Sequence, residues 1–223
     1  METCMQINVI LLAGYARSGK DSIADYTIQS AIQSAKQAVS SGKTVYPHKD
    51  KFAKPLYDML SSMYGYKYNF DYIDSHKNEI MQHTNCTWRT ALQKLGTEFG
   101  RDVLGPDIWA RLAVDRVLEE NNFAGCVVKT LDGNFIVKNS KFFIFSDCRF
   151  LNELQVFKRD DRFNTHLIYV ERKESQPQTH HRSEQQMLEL KANADYIIVN
   201  NQSLKDLYRK TDTVLENIFD NVE

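Results

Sequence analysis

The residues most able to do chemistry come early: Gly14-Tyr15-Ala16-Arg17-Ser18-Gly19-Lys20, the pattern G-x-x-x-x-G-K. Glycines let the backbone curl so that successive N–H groups face one anion. A helix beginning at this point adds its positive N-terminal end. Lys20 can then reach the β- and γ-phosphates of a nucleoside triphosphate. Gly14, Ala16, Arg17, Ser18, Gly19 and Lys20 are therefore the expected phosphate cradle. The usual pattern continues with Ser or Thr, whose hydroxyl holds magnesium, but here Asp21 and Ser22 follow. A carboxylate suits magnesium directly or through water. It suits the positive end of a helix equally well, and both readings stand. Ser22 can bring the missing hydroxyl to an α-phosphate.

Such a loop works only between a buried strand and a helix. Ile7 to Ala13 reads as that strand, short, rich in β-branched residues and closed by glycine. Gly19 to Gln37 reads as the helix, with Ile23, Ala24, Ile28, Ala31 and Ile32 near helical spacing. Further strands are expected at Thr44 to His48, Phe142 to Phe145, Leu167 to Val170 and Tyr196 to Val199. Helices are expected at Lys54 to Tyr64 (with Pro55 in its first turn), Trp88 to Phe99, Asp107 to Glu120, Leu151 to Lys158, from Glu184, and Leu204 to Ile218. Asp132-Gly133 within Cys126 to Val137 signals a hairpin turn. Tyr64 to Asp74, with its five aromatics, suggests no secure assignment. Alternation of strand and helix predicts an α/β fold, a parallel sheet covered by helices on both faces. The whole chain reads as one domain, with no linker and no repeat.

Candidate cations fall at the ends of these elements. Arg17 and Lys20 belong to the loop, and Arg89 and Arg101 flank the Trp88 to Phe99 helix. Arg149 and Arg172 each follow a strand, at the carboxyl edge where ligands of open α/β sheets bind. A guanidinium fork suits phosphate. Arg149 and Glu153 are also spaced to pair as i, i+4 neighbours. Asp147 ends its strand, as a water-mediated magnesium ligand or as a helix cap.

The loop sequence resembles that of the deoxynucleoside monophosphate kinases of tailed bacteriophages, where G-K-D-[ST] replaces G-K-[ST]. The resemblance continues in order through Phe52-Ala53-Lys54-Pro55-Leu56, then Leu92-Gln93-Lys94-Leu95-Gly96-Thr97-Glu98 with Arg101 and Trp109. It goes on through Asp147-Cys148-Arg149-Phe150-Leu151-Asn152-Glu153, His181-Arg182-Ser183-Glu184 and Asp195 to Asn201. It implies a P-loop kinase fold with an acceptor-binding helical insertion at about 50–125 and a lid-like loop at about 172–188. It also implies ATP and Mg2+ as cofactors, and transfer of the γ-phosphoryl group to a deoxynucleoside monophosphate. Catalytic roles are implied for Lys20, Arg17, Arg149, Asp147 and Arg172, with Asp21 and Asp147 near the metal. Acceptor contacts are implied for Lys54, Arg89, Gln93, Thr97, Arg101, Trp109, Arg149, Glu153, His181 and Glu184. Asn200 falls where the adenine of ATP would lie, or in a turn. Trp109 taken alone reads as core, and Ser183 with Gln186 reads as a capping box. A phage kinase would act as a homodimer in the host cytoplasm.

A phosphate monoester acceptor has a second pKa of about 6 and needs little deprotonation, so no strong general base is required. Net charge is −1, with 28 Lys+Arg against 29 Asp+Glu, which disfavours a nucleic-acid substrate. Cys4, Cys86, Cys126 and Cys148 form no C-x-x-C pair, so reduced thiols are expected and a zinc site is not. Ile7 to Ala13 is too short to span a bilayer and lacks signal-peptide flanks. Kinases for dephospho-coenzyme A or phosphomevalonate share such a loop, and a nucleotide-dependent switch protein is an alternative of another class. The absence of an N-K-x-D motif weighs against a GTPase switch.

Overall fold

The computed structural model describes residues 6–38, 43–122, 128–130, 133–135, 138–175 and 186–219. The elements run β1 (Ile7–Ala13), α1 (Lys20–Ala38), β2 (Lys43–Asp50), α2 (Lys54–Tyr64), α3 (Phe70–Ser75) and α4 (Trp88–Lys94). A π-helix (Leu95–Leu104) follows, then α5 (Ile108–Asn122), β3 (Val128–Thr130), β4 (Gly133–Phe135), β5 (Lys138–Cys148) and α6 (Leu151–Lys158). The chain continues with β6 (Phe163–Glu171), α7 (Met187–Ala192), β7 (Tyr196–Val199) and α8 (Leu204–Phe219).

Five strands form one parallel sheet in the order β2-β5-β1-β6-β7. β1 is central, and alternate residues along it feed two cores. Val9 and Leu11 pack with Phe143, Phe145 and Leu167 against α5 and α6. Ile10 and Leu12 pack with Ile144, Ile168 and Val170 against α1 and α8. That two-sided burial explains why the strands read as continuous apolar runs. A third core, around Tyr57, Leu60, Ile73, Met81 and Trp88, belongs to the helices between β2 and α5. The aromatic stretch after Tyr64 is part of it: Tyr72 packs edge-on to Trp88 and to Tyr68, Tyr68 lies tilted against Trp88, and Asn69 caps α3 by accepting from the Tyr72 amide.

Most expected elements form within a few residues of their expected bounds. Three depart. The helix from Trp88 does not end at Phe99 but widens into the π-helix and runs to Leu104. α7 starts at Met187, three residues after the expected Glu184. Gly133 pairs with Thr130 in the β3–β4 ladder, so it is a strand residue and not the turn. Among the described residues no helix is long and apolar enough to cross a membrane.

Candidate active site

β1 delivers the chain to Gly14 at the carboxyl edge of the sheet. Gly14 has φ 140°, and a Cβ there would lie 2.3 Å from the Val170 carbonyl oxygen. Gly19 has φ 108°, and its Cβ would lie 2.6 Å from Asn200 Nδ2. Both positions are left to glycine by conformation and by space. Between them Arg17 takes φ 63°, which lifts its side chain into the open. Asn200, buried at the end of β7, donates from Nδ2 to the Ser18 carbonyl at 2.8 Å and from its backbone to Glu171. It thus ties the last strand to the loop and fixes the loop's curvature.

Lys20 is buried, and its Nζ donates to the Gly14 and Tyr15 carbonyls at 2.7 and 2.8 Å. The ammonium therefore lies folded over the loop that it closes. Asp21 accepts from Ser146 Oγ at 2.8 Å and lies 3.6 Å from Lys51 Nζ. Burial pushes the Asp21 carboxyl up, but Lys51, the Ser146 hydroxyl, Lys49 and Lys20 together outweigh it and hold the group below its ordinary value.

Ser146 and Asp147 reach the site because β5 carries one extra residue against β1: Leu11 is level with Phe145, yet Ala13 is level with Cys148. The Asp147 oxygens accept from the Phe52 and Ala53 amides at 2.9 and 3.1 Å. Burial raises the Asp147 carboxyl above its ordinary value, against those two hydrogen bonds and the nearby Lys51 and Arg149. Its visible work is to dock the turn after β2. The cap of α6 comes from elsewhere, since Glu153 accepts from the Arg149 and Phe150 amides at 2.7 and 3.1 Å.

The expected i, i+4 pair of Arg149 and Glu153 does not form. Glu153 pairs instead with Arg101 of the π-helix at 2.6 Å, with both side chains buried. Arg101 also donates to the Pro106 carbonyl at 2.9 Å, and its guanidinium lies 3.6 Å from the centre of the Phe150 ring. Arg149 is left exposed, with no carboxylate partner among the described residues.

Two cavities open on either side of Lys20. The first, about 320 Å³, runs from Ala16, Arg17 and Asp21 past Lys51, Asp147 and Arg149 to Arg89, Gln93, Thr97 and Trp109. The second, about 330 Å³, is lined by Gly19, Ser22, Arg172, Asn200 and Leu207. Arg17, Lys20 and Asp21 line both.

The π-helix explains the far wall of the first cavity. Its i→i+5 hydrogen bonding, seen where the Gly105 amide donates to the Gly100 carbonyl at 3.0 Å, widens the turn. Residues four and five apart then share a face, and Leu92, Gly96, Thr97 and Arg101 all line the cavity. Trp109 is buried and packs on this helix. Its Nε1 donates to the Gly96 carbonyl at 2.7 Å, and a Cβ on Gly100 would lie 2.1 Å from its ring. Trp109 is therefore core that shapes the cavity floor, not a free stacking platform.

Lys54 is not brought to either cavity. It lies on the exposed side of α2, where Nζ meets Asp58 at 2.5 Å. Lys51, three residues earlier, occupies the cavity wall in its place. Sequence reasoning passed over Lys51, and also Tyr57, Asp74 and Lys77, whose side chains form a linked group on the same wall: Tyr57 Oη donates to Asp74 at 3.0 Å, and Lys77 pairs with Asp74. Their only signal was a place just beyond β2 and in the aromatic stretch. Arg89 lines the cavity with Nε donating to Asn78 at 2.9 Å, and Arg172 pairs with Glu174 at 3.2 Å. His181 and Glu184 lie outside the described residues.

Among the described residues no cluster of three or more His, Cys, Asp or Glu side chains could hold a metal ion alone. The arrangement suits two anionic ligands that meet at Lys20, and it lacks the protein-only cage of a structural metal site.

No curated protein matches the chain. Among solved structures, dephospho-CoA kinase from Campylobacter jejuni aligns over 97% of this chain and 100% of its own, at 12% identity and a TM-score of 0.46. Residues 36–211 match the family model for deoxynucleotide monophosphate kinase. That span begins beyond the phosphate loop, so it rests on residues other than those of the Gly14 to Lys20 motif. On that match the chain belongs to the deoxynucleotide monophosphate kinase family.

Proposed function

We propose that the chain transfers the γ-phosphoryl group of ATP to a deoxynucleoside 5′-monophosphate, with ATP in the Asn200 cavity and the acceptor in the Arg149 cavity. The observation that carries this division is the shared wall: Arg17, Lys20 and Asp21 line both cavities, so ligands entering from opposite sides meet there.

An acceptor phosphate oxygen attacks the γ-phosphorus, the bond to the β,γ-bridging oxygen breaks, and ADP leaves. The protein's part is to orient the two anions and offset charge on the transferring group. Lys20, Arg17 and Arg172 serve the donor phosphates. Arg149, exposed to the cavity and without a carboxylate partner among the described residues, serves the acceptor phosphate, with Arg89, Gln93 and Thr97 along the acceptor wall. Glu153, Arg101 and Trp109 position that wall and Arg149 without needing to touch the acceptor.

Magnesium fits the donor set, because Asp21 and Ser146 offer oxygens beside the loop and the ion keeps waters and phosphate oxygens for its other ligands. When bound it neutralises charge on the β- and γ-phosphates. Asp147, with both oxygens engaged by amides, would act on it only through water. The near-balanced charge supports small-molecule nucleotides rather than nucleic acid as substrates.

A coupled assay with ATP and a panel of dNMPs tests the reading, with dephospho-coenzyme A and phosphomevalonate as competing acceptors. ADP release that depends on at least one dNMP is expected. Inactivity on every dNMP, or slow ATP turnover indifferent to them, would sink it.

A further inference from the structure

Lys51 has no role in the reading above, yet its mounting is that of a working cation. Its backbone is clamped. Arg116, from α5, pairs through Nε with the buried carboxylate of Asp50 at 2.8 Å and donates from Nη2 to the Lys51 carbonyl at 2.9 Å. The Lys51 amide donates to Asp50 Oδ1 at 2.7 Å, and the next two amides are held by Asp147. The residue is thus pinned from α5 on one side and from β5 on the other.

Its tip is held far more loosely. Nζ lies 3.6 Å from Asp21, beyond hydrogen-bond reach, and 4.6 Å from the centre of the Phe70 ring. Three other cations of the cavity differ. Arg101 is committed to Glu153, Lys77 to Asp74, and Arg89 to Asn78. Lys51 also lies close enough to Asp21, Asp74 and Asp147 to favour the charged form of each, although burial still leaves Asp147 raised overall.

Resting on the proposed phosphoryl transfer, we infer that Lys51 is a catalytic residue: its ammonium leaves Asp21 for the phosphoryl group that passes between the two cavities. The exchange is balanced electrostatically. Asp21, released from a long ion pair, would be free to hold a magnesium ion, while Lys51 moves from one anion to another. A rigid backbone with a loosely tied charged tip places that charge without reorganising the wall.

Steady-state kinetics on Lys51→Met and Lys51→Arg test this, using the full chain, ATP and the best dNMP. Met keeps the stem over Phe70 and removes the charge. Loss of one electrostatic contact made in the transition state predicts a kcat lower by about 10²–10³-fold. KM for ATP should stay within about threefold and the thermal melt should be unchanged, with Arg restoring part of kcat. An unchanged kcat overturns the inference, and so does a raised KM for dNMP at constant kcat, since that marks uniform binding. If Lys51→Met melts early, Lys51→Gln supplies the same comparison. Wild-type inactivity on every dNMP is a different result, and it strikes the functional reading rather than Lys51.

Discussion

Arg101 Nη2 donates to Glu153 Oε1 at 2.6 Å, and through this buried pair the π-helix grips the loop that carries Arg149. The other Glu153 oxygen takes the Arg149 and Phe150 amides. One carboxylate thereby sets the acceptor wall and the Arg149 backbone relative to each other. Burial pushes the Glu153 carboxyl up to about 7, against Arg101 and the two amides, with Asp147 adding to the rise.

Arg101→Met should therefore cost stability in a pH-dependent way. Removing one partner of a buried pair costs about 3–5 kcal/mol. The folded carboxyl already lies above its ordinary value, and losing Arg101 raises it further. A folded state that keeps a proton released on unfolding is most favoured at low pH. Its advantage fades as pH rises from the unfolded pKa through the folded one. The unfolded carboxyl is the same in both proteins, so the gap in Tm between variant and wild type should stay flat at mildly acidic pH and widen as pH rises through about 7. A constant gap would show that Arg101 does not hold Glu153 ionised.

Gly100→Ala tests the packing beneath the acceptor cavity. The new methyl would meet Trp109 Cζ2 at 2.1 Å, and the indole cannot retreat without breaking its bond to Gly96. Overpacking of this kind costs about 1–3 kcal/mol. Because Gly96 and Thr97 move with Trp109, KM for the dNMP should rise more than KM for ATP. An unaltered melt together with unaltered KM values would mean that the wall is softer than its geometry implies.

The phosphate loop and the alternating strands were legible because each rests on local pattern: glycine, a β-branched run, helical spacing. The residues misplaced at sequence level depend on what lies across the fold. Lys51 and Lys54 stand in one short segment. Only the docking of Phe52 and Ala53 on Asp147 decides that the first faces the cavity and the second faces water. The π-helix was hidden for a similar reason. Gly96 and Gly100 weaken ordinary helical preference, but it is Trp109, arriving from α5, that occupies the space beside them. Glu153 lies four residues after Arg149, yet Arg101, distant in sequence, claims it.

Lys54→Ala follows from that correction. The residue matches the family pattern by position but, among the described residues, pairs with Asp58 on an exposed face. Exposed i, i+4 pairs contribute about 0.3–0.5 kcal/mol, so the melt should barely move. kcat and KM for dNMP should stay within about twofold of wild type, an energy difference of less than about 0.5 kcal/mol. A large rise in KM would return Lys54 to the acceptor site and imply that α2 moves when the acceptor binds.

Asp21→Ser reaches the feature that sets this loop apart. The usual hydroxyl is restored, so phosphoryl transfer should survive at saturating magnesium. The carboxylate is lost, and with it a hard anionic oxygen beside the loop. Against burial, Lys51 and the Ser146 hydroxyl hold the Asp21 carboxyl below its ordinary value, which favours its charged form. The magnesium concentration for half-maximal rate should then rise about tenfold in the variant, a change of about 1.4 kcal/mol in the ion's affinity, and do so equally at neutral and alkaline pH. A magnesium curve that superposes on wild type would assign Asp21 to the helix dipole and to Lys51 alone. A higher magnesium requirement would instead separate the two tasks, because the serine still completes the loop while the ion loses its charged ligand.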